Sequence, residues 1–256
     1  MLDRLQKIYM QTFAKPYVLW YLKKERIDTV RGFELTIIPT VFHPKFFFSS
    51  TYLFDFVSTL NLTGKRFLEI GCGSGLISLL AHQKKAVVTA CDINDVAVDC
   101  TKLNFEKNFG KEIANVSVFK SDLFDAIPDS KFDIIVINPP YFFEDVKTDD
   151  QLAWNCGKNG EYFVKLFFGL KHYTLPESDV YMILADNCEI DKIKNIAKTY
   201  QFSFELIVHK KIKWETNFIF KIRNICMTVT PCFVKAEHSF MSILVKSRVW
   251  ILVIRR

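Results

Sequence analysis

Apolar and polar positions alternate along the chain with two spacings, one typical of strands and one typical of helices. Short apolar runs rich in β-branched residues predict seven strands, at 66–71, 86–92, 115–120, 132–138, 179–186, 203–210 and 216–222. Apolar residues at intervals of three and four predict helices between them, at about 75–84, 94–108, 159–173 and 189–200. Strands that alternate with helices indicate an α/β fold, with a mostly parallel sheet and helices on both faces.

The two ends of the chain follow a less regular pattern. The last two predicted strands are too close in sequence for a helix to connect them, so we expect a C-terminal antiparallel hairpin with its turn at 211–213. Near the N-terminus the pattern predicts a short strand or hairpin at 33–44 and a helix at 51–60. Residues 2–24 have helical spacing, and Pro16 predicts a kink or a break between two helices.

These patterns divide the chain into three predicted parts. We expect a helical leader with a short strand at 1–40, the main α/β domain at 41–223, and a basic and apolar C-terminal extension with no assigned role at 224–256. Half of the 256 residues are hydrophobic, which is enough to bury a sizeable core.

The charge and the cysteines narrow the class of protein. The net charge is +6, and residues 209–256 alone contribute about +8, so the basic character belongs to the C-terminal end. A basic end contacts nucleic acid or an acidic partner, or is simply a solvated surface. The seven cysteines form no Cys-x-x-Cys unit, which indicates reduced thiols in a cytoplasmic protein, with no metal site. The apolar run at 249–254 is too short to span a membrane.

The candidate chemistry begins at the end of the first central strand. Gly71, Gly73 and Gly75 follow that strand at alternate positions, and a helix begins directly after them. Glycines let a ligand approach the backbone closely, and the amides at a helix start point toward it. Dinucleotide-binding turns have the spacing Gly-x-Gly-x-x-Gly, and here Leu76 takes the place of the third glycine.

The next two strands end in carboxylates. Asp92 lies where a carboxylate can accept hydrogen bonds from both ribose hydroxyls of an adenosine, and Ile93 can pack on the adenine; the alternative is a helix cap before Asn94. Asp122 and Leu123 follow the third strand, where the carboxylate can accept from the adenine amine and the Leu123 amide can donate to the ring. The alternative for this pair is a simple turn.

The fourth strand ends in Asn138, Pro139, Pro140 and Tyr141, which we call the tetrad. Neither proline can donate a hydrogen bond, so the loop presents mainly acceptors. Asn138 precedes a proline and is therefore held extended. The Asn138 side-chain oxygen and the Pro139 carbonyl can hold both N–H bonds of a planar amino group, with Tyr141 stacked on its plane.

In combination these motifs resemble the class I S-adenosylmethionine-dependent methyltransferases, in their amino-methylating Asn-Pro-Pro-Tyr branch. The resemblance implies a Rossmann-like seven-stranded methyltransferase sheet, S-adenosyl-L-methionine as the cofactor, and direct methyl transfer to a nitrogen. It implies that the catalytic residues are Asn138, Pro139, Pro140 and Tyr141. It implies that the cofactor-binding residues are Glu69, Gly71, Cys72, Gly73, Gly75, Asp92, Ile93, Asp122, Leu123 and Asn138.

Two branches of that class resemble this chain further. Residues 153–161 are similar to the Gly-Gly-x-(Asp/Asn)-Gly segment of release-factor glutamine methyltransferases, with Cys156 in place of the first glycine. Val41 and Phe42 with 51–53 are similar to ribosomal RNA guanine-N2 methyltransferases. We therefore expect a macromolecular acceptor, most simply a protein glutamine in a release factor. The alternatives are a base amine of RNA or DNA and a cofactor-binding scaffold without turnover. Some relatives act with a small zinc-binding partner.

Overall fold

The computed structural model describes residues 21, 23–45, 48–147, 151–213 and 215–225. Nine strands occur within these residues, and they are β1 Arg26–Val30, β2 Phe33–Ile37, β3 Arg66–Ile70, β4 Val87–Asp92, β5 Val116–Lys120, β6 Phe132–Ile137, β7 Thr174–Ala185, β8 Phe202–Ile212 and β9 Glu215–Asn224. The helices are α1 Phe48–Ser58, α2 Leu76–Gln83, α3 Asp95–Phe109, α4 Glu161–Tyr173 and α5 Ile190–Thr199. The predicted helical leader at 2–24 and the predicted extension at 224–256 lie almost entirely outside the described residues.

The main sheet has the seven strands that the sequence predicts. Their order is β5-β4-β3-β6-β7-β9-β8, with β9 antiparallel to both of its neighbours. The strand order reverses between β3 and β6, and in open parallel sheets ligands bind at the carboxyl ends of the strands beside such a switch point. The predicted fold class, with its antiparallel C-terminal hairpin, is confirmed.

Helices cover the two faces of this sheet because apolar residues in the buried strands point alternately to either side. Phe67 and Val136 belong to a core cluster shared with α1, α2 and α3. Leu68 and Ile137 belong to the opposite cluster, shared with α4 and α5. The continuous apolar run of β6 is thus explained by burial on both faces.

The predicted turn of the C-terminal hairpin is wrong by two residues. Lys211 and Ile212 continue β8 and pair with Thr216 and Glu215. The chain reverses at Lys213, whose φ is 58°. β8 lies at the edge of the sheet and is exposed along most of its length. Its pattern of apolar and charged residues therefore does not change where the strand ends, so the sequence gives no signal for that end.

A separate hairpin precedes the main sheet. β2 lies within the predicted segment, whereas its partner β1 was not predicted. Their apolar side chains join the same core cluster as α3. Two asparagines of α3 bind the hairpin backbone, since the Thr36 N–H donates to Asn104 Oδ1 over 2.7 Å, and the Glu34 N–H donates to Asn108 Oδ1 over 3.1 Å.

Both side-chain amides also donate back to the strand. Asn104 Nδ2 lies 2.9 Å from the Thr36 carbonyl oxygen, and Asn108 Nδ2 lies 2.8 Å from that of Glu34. One face of α3 thus satisfies the strand backbone in the way that a neighbouring strand would. Among the described residues, no helix is both long and apolar enough to cross a membrane.

Candidate active site

A cavity of about 370 Å³ lies at the carboxyl ends of β3, β4 and β6. Its wall includes all but one of the predicted site residues, namely Glu69, Gly71, Cys72, Gly73, Asp92, Ile93, Asp122, Leu123, Asn138, Pro139, Pro140 and Tyr141. Segments that are far apart in sequence therefore meet at one cavity, as expected for the carboxyl edge of a parallel sheet.

Gly75 is the predicted site residue outside the cavity wall. It precedes α2 with φ 79°, in the left-handed region, and a Cβ there would lie 2.9 Å from Thr101 Cγ2. Glycine is needed at this position for two physical reasons, its backbone conformation and the close packing of α3. A direct role of Gly75 in binding a cofactor stays a prediction.

Asp92 organises the glycine turn, which is the segment 71–75. Its Oδ2 accepts the Gly73 N–H over 2.9 Å, and its Oδ1 accepts the Asn94 N–H over 3.0 Å. Burial raises the pKa of this carboxyl, while the backbone donors act in the opposite direction. A carboxylate has about four lone-pair sites, so two remain for hydroxyl donors in the cavity. Asp92 does not cap α3, because Asn94 holds that position and accepts from the Val96 N–H.

Glu69 and Cys72 line the side of the cavity nearest to β3. Glu69 is buried and accepts a hydrogen bond from the Ser78 hydroxyl, and desolvation raises the pKa of its carboxyl to about 8. Cys72 is also buried, and desolvation raises the pKa of its thiol well above the usual range. Burial therefore disfavours the charged form of both side chains in this part of the wall.

Asp122 and Leu123 lie beside Asp92, because the Ser121 N–H donates to the Asp92 carbonyl oxygen over 2.9 Å. Lys165 from α4 reaches this end of the cavity, and its Nζ lies 2.6 Å from Asp122 Oδ2. The same ammonium group lies 2.7 Å from Asp125 Oδ2. The ion pair fixes the Asp122 carboxylate in the wall, a contact that the sequence did not predict.

The tetrad forms the part of the cavity wall next to the glycine turn, because β3 and β6 are neighbouring strands. Asn138 follows β6 directly, and its backbone oxygen is the atom nearest to the Cβ that a side chain at Gly71 would have, at 3.8 Å. Its side-chain Nδ2 donates to Ser50 Oγ of α1 over 3.3 Å. Burial raises the pKa of the Tyr141 hydroxyl far above neutral pH, so the tetrad presents an uncharged aromatic ring.

A short ladder of backbone bonds joins the tetrad to the segment after it. The Tyr141 and Phe142 N–H groups both donate to the Trp154 carbonyl oxygen, over 3.0 and 2.9 Å. The Cys156 N–H donates to the Phe142 carbonyl oxygen over 2.8 Å. Cys156 lines the cavity at the position where the similar segment has a glycine. The backbone here pairs in an extended conformation, so the conformational freedom of a glycine is not required.

Two aromatic residues of the cavity wall were not assigned a role from the sequence. Phe42 and Trp154 have their ring centroids 4.7 Å apart, at an angle of 52°. They bring the segment before α1 into contact with the segment after the tetrad. Each residue lies in a segment that resembles known methyltransferases, and this similarity was the available sequence signal. The spacing of the residues did not indicate that the two rings meet.

The comparisons with known proteins agree with this geometry. The chain matches the family described as Methyltransferase small domain over residues 34–163, which is about half of its length. The chain belongs to this family. The family model ends inside α4, so β7 to β9 lie outside the matched region. The chain is thus a methyltransferase, and the resemblance predicted from the glycine turn and the tetrad is confirmed.

Among named relatives, one is similar over nearly its whole length. It is a protein of Methanocaldococcus jannaschii provisionally named protein N5-glutamine methyltransferase, 33% identical over 196 residues, which cover 74% of this chain and 94% of that protein. A tRNA1(Val) (adenine(37)-N6)-methyltransferase of Bacteroides thetaiotaomicron is 32% identical, over 53% of this chain and 57% of that protein. The release factor glutamine methyltransferase of Aquifex aeolicus is 37% identical, with 41% of either chain covered.

Solved structures with low sequence identity share the fold. A methyltransferase from Pyrococcus furiosus has a TM-score of 0.57 at 20% identity, with 84% of this chain and all of that chain covered. A chain of the E. cuniculi Mtq2–Trm112 complex has a TM-score of 0.54 at 19% identity, with coverage of 72% and 99%. These structures confirm the Rossmann-like arrangement of the sheet.

Proposed function

We propose that this methyltransferase transfers a methyl group from S-adenosyl-L-methionine to the side-chain nitrogen of a protein glutamine. The observation that carries the proposal is that one cavity is lined by Asp92, the glycine turn and the tetrad, which follow the neighbouring strands β4, β3 and β6. An acceptor nitrogen at the tetrad and a methyl donor at the turn would share that cavity. The relative with 33% identity over most of both chains supports the same type of acceptor.

The residues present fit the proposed cofactor. Asp92 has lone pairs left for the two ribose hydroxyls after accepting two backbone N–H groups, and Ile93 is 36% exposed, so it offers an apolar surface for an adenine. Asp122 can accept from an amine while Lys165 holds it in place. When bound, S-adenosyl-L-methionine supplies an electrophilic methyl group.

The tetrad would prepare the acceptor nitrogen. The lone pair of an amide nitrogen is delocalised, which makes it a poor nucleophile. If Asn138 Oδ1 and the Pro139 carbonyl accept its two N–H bonds, they orient that lone pair and stabilise positive charge that develops on nitrogen. The proton can leave afterwards without a dedicated base. Among the described residues, no histidine lines the cavity, which fits this view of the reaction.

A second candidate acceptor is an exocyclic amine of an RNA base, or of a DNA base. The similarity to a tRNA adenine-N6 methyltransferase favours it, as does the charge of about +8 over 209–256, because phosphate contacts depend on Lys and Arg. The same tetrad would hold the base amine, and a base in a duplex would have to be flipped out. A cytoplasmic location stays a prediction.

The experiment that tests the proposal is methyl transfer from labelled S-adenosyl-L-methionine into a cell extract, followed by digestion with protease or ribonuclease. We expect label that protease releases and ribonuclease does not. Amino-acid analysis of the labelled fraction should then give N5-methylglutamine.

The other results are equally informative. Label released by ribonuclease would replace the glutamine proposal by the RNA proposal. No label in either fraction, while S-adenosylhomocysteine still raises the unfolding temperature, would contradict a macromolecular acceptor and favour a scaffold or a small-molecule acceptor. No shift with S-adenosylhomocysteine would contradict the cofactor itself.

A further inference from the structure

We propose that Ser50 is a positioning residue that anchors the Asn138 side-chain amide in the cavity wall, with the amide oxygen turned to the acceptor. The inference rests on the proposed function, since it concerns how the tetrad holds a planar amino group. Ser50 belongs neither to the glycine turn nor to the tetrad.

The contact joins two rigid elements. Ser50 lies in the first turn of α1, and Asn138 follows the buried strand β6, 88 residues later in sequence. Asn138 Nδ2 lies 3.3 Å from Ser50 Oγ, and both residues line the cavity. α1 is anchored by Leu53 and Val57, which are fully buried in the core. The hydroxyl is therefore presented from a fixed backbone.

The orientation matters because the two ends of a primary amide have opposite roles. An acceptor –NH2 group has two hydrogen-bond donors, so it must meet the Asn138 oxygen and not its nitrogen. If the amide turned by half a rotation, Nδ2 would face the acceptor N–H bonds as a second donor. With Nδ2 bound to Ser50, Oδ1 remains available, and among the described residues it has no hydrogen-bond partner.

The chemistry at position 50 can be varied to test this assignment. Ser50→Ala removes the partner of Nδ2 and lets the amide sample both orientations. Ser50→Thr keeps a hydroxyl that can anchor the amide. Ser50→Asp offers oxygens that only accept, so it admits only Nδ2 on the α1 side. Ser58→Ala is the matched control, because Ser58 is on the same helix and its hydroxyl donates to the Asp55 carbonyl oxygen, away from the cavity.

Single-turnover methyl transfer and calorimetric binding of S-adenosylhomocysteine separate a positioning role from a structural one. For Ser50→Ala we expect the transfer rate to fall about ten-fold, as is usual when a reacting group is less well oriented. The dissociation constant for S-adenosylhomocysteine should change by less than about two-fold, since the cofactor contacts of Asp92 are untouched. Ser50→Thr and Ser50→Asp should recover most of the rate, and Ser58→Ala should equal the wild type.

A readout without turnover tests the hydrogen bond itself. In protein labelled with ¹⁵N-asparagine, the side-chain signals of Asn138 are identified by their loss in Asn138→Asp. We expect their protons to exchange with solvent faster in Ser50→Ala than in the wild type, and at the wild-type rate in Ser58→Ala. This measurement needs no acceptor, so it tests the contact even if the glutamine proposal fails.

Three results would overturn the inference. The first is an unchanged transfer rate in Ser50→Ala. The second is a loss of rate matched by equal losses in S-adenosylhomocysteine affinity and unfolding temperature, which would make Ser50 structural. The third is unchanged exchange of the Asn138 amide protons. If RNA proves to be the acceptor, the same variants are measured on RNA, because a base amine places the same demand on Oδ1.

Discussion

The two walls of the cavity are built in different ways. The glycine-turn wall is held mainly by the backbone, with the N–H groups of Gly73 and Asn94 on the Asp92 carboxylate. The tetrad wall is held by side chains from segments far apart in sequence, through the contact of Asn138 with Ser50 and that of Phe42 with Trp154. The residues that form the first kind of wall, the glycines and Asp92, can be recognised in the sequence. The second kind depends on where the fold brings other elements.

The difference also separates binding from turnover. Substitutions in the glycine-turn wall should weaken cofactor binding, because that wall supplies the groups suited to ribose and adenine. Substitutions in the tetrad wall should lower the rate and leave cofactor affinity nearly unchanged, because an interaction made with the reacting nitrogen counts mainly in the transition state. The following predictions test this division, from the largest expected effect to the smallest.

Asn138→Ala should give the largest effect. Loss of one preorganised polar group at the reacting centre typically lowers kcat by about 10²–10³-fold. The affinity for S-adenosylhomocysteine should change by less than about three-fold. Steady-state kinetics with calorimetric binding checks both quantities, and Asn138→Asp serves as a variant of similar size that cannot present a neutral amide. A large loss of cofactor affinity with an unchanged kcat would show that Asn138 binds the cofactor and not the acceptor.

Asp92→Ala should have the opposite profile. It removes a carboxylate that accepts two backbone N–H groups, and charged hydrogen bonds contribute about 1.5–3 kcal/mol each. We expect the dissociation constant for S-adenosylhomocysteine to rise by up to about 100-fold, while kcat at saturating cofactor falls much less. Asp99→Ala, one turn into α3 on its exposed face, is the control. Equal effects of the two substitutions on the dissociation constant would show that Asp92 does not bind the cofactor.

Gly75→Ala tests whether that glycine is needed for the fold or for the ligand. Both a left-handed φ and a contact of 2.9 Å with Thr101 Cγ2 oppose an alanine there. Gly64→Ala has a similar φ of 69° with nothing within 4 Å, so it isolates the backbone contribution. We expect a loss in unfolding free energy of about 2–3 kcal/mol for Gly75→Ala and about 1 kcal/mol for Gly64→Ala. Urea unfolding measures both, and equal losses would contradict the packing argument.

Glu69→Gln should have little effect on stability near pH 5 and is visible as a change in the pH dependence of the unfolding free energy. The carboxyl pKa is about 8 in the folded protein, against an ordinary value of 4.5, because burial disfavours the charged form. Between these values the folded state binds more protons than the unfolded state, so Glu69 lowers stability as the pH rises. The slope is at most about 1.4 kcal/mol per pH unit.

Glutamine cannot titrate, so the variant should gain stability relative to the wild type between pH 5 and pH 8. Urea unfolding at several pH values measures the difference. A difference that does not vary with pH would show that the Glu69 carboxyl has an ordinary pKa in the folded protein. Ser78→Ala is an informative companion, since it removes the hydrogen bond that Glu69 accepts and should raise the pKa further.

The sequence by itself determined the sheet, its helices and both motifs of the cavity. The reason is physical, because strand and helix spacing are local properties and the carboxyl ends of parallel strands must lie at one edge. It also predicted that Asp92 and Asn138 would face a shared ligand site. Strand ends were less certain where burial does not change, as in the exposed edge strand β8.

Only the tertiary structure decided which distant side chains support that site. Asn104 binds the Thr36 backbone over a separation of 68 residues, and it also donates to the Ser74 carbonyl oxygen in the glycine turn. Ser50 meets Asn138 in the same long-range way. No local periodicity encodes such pairs, because a polar residue on a helix has the same pattern whether it faces water or a buried backbone group. The chain must fold before those hydrogen bonds have partners.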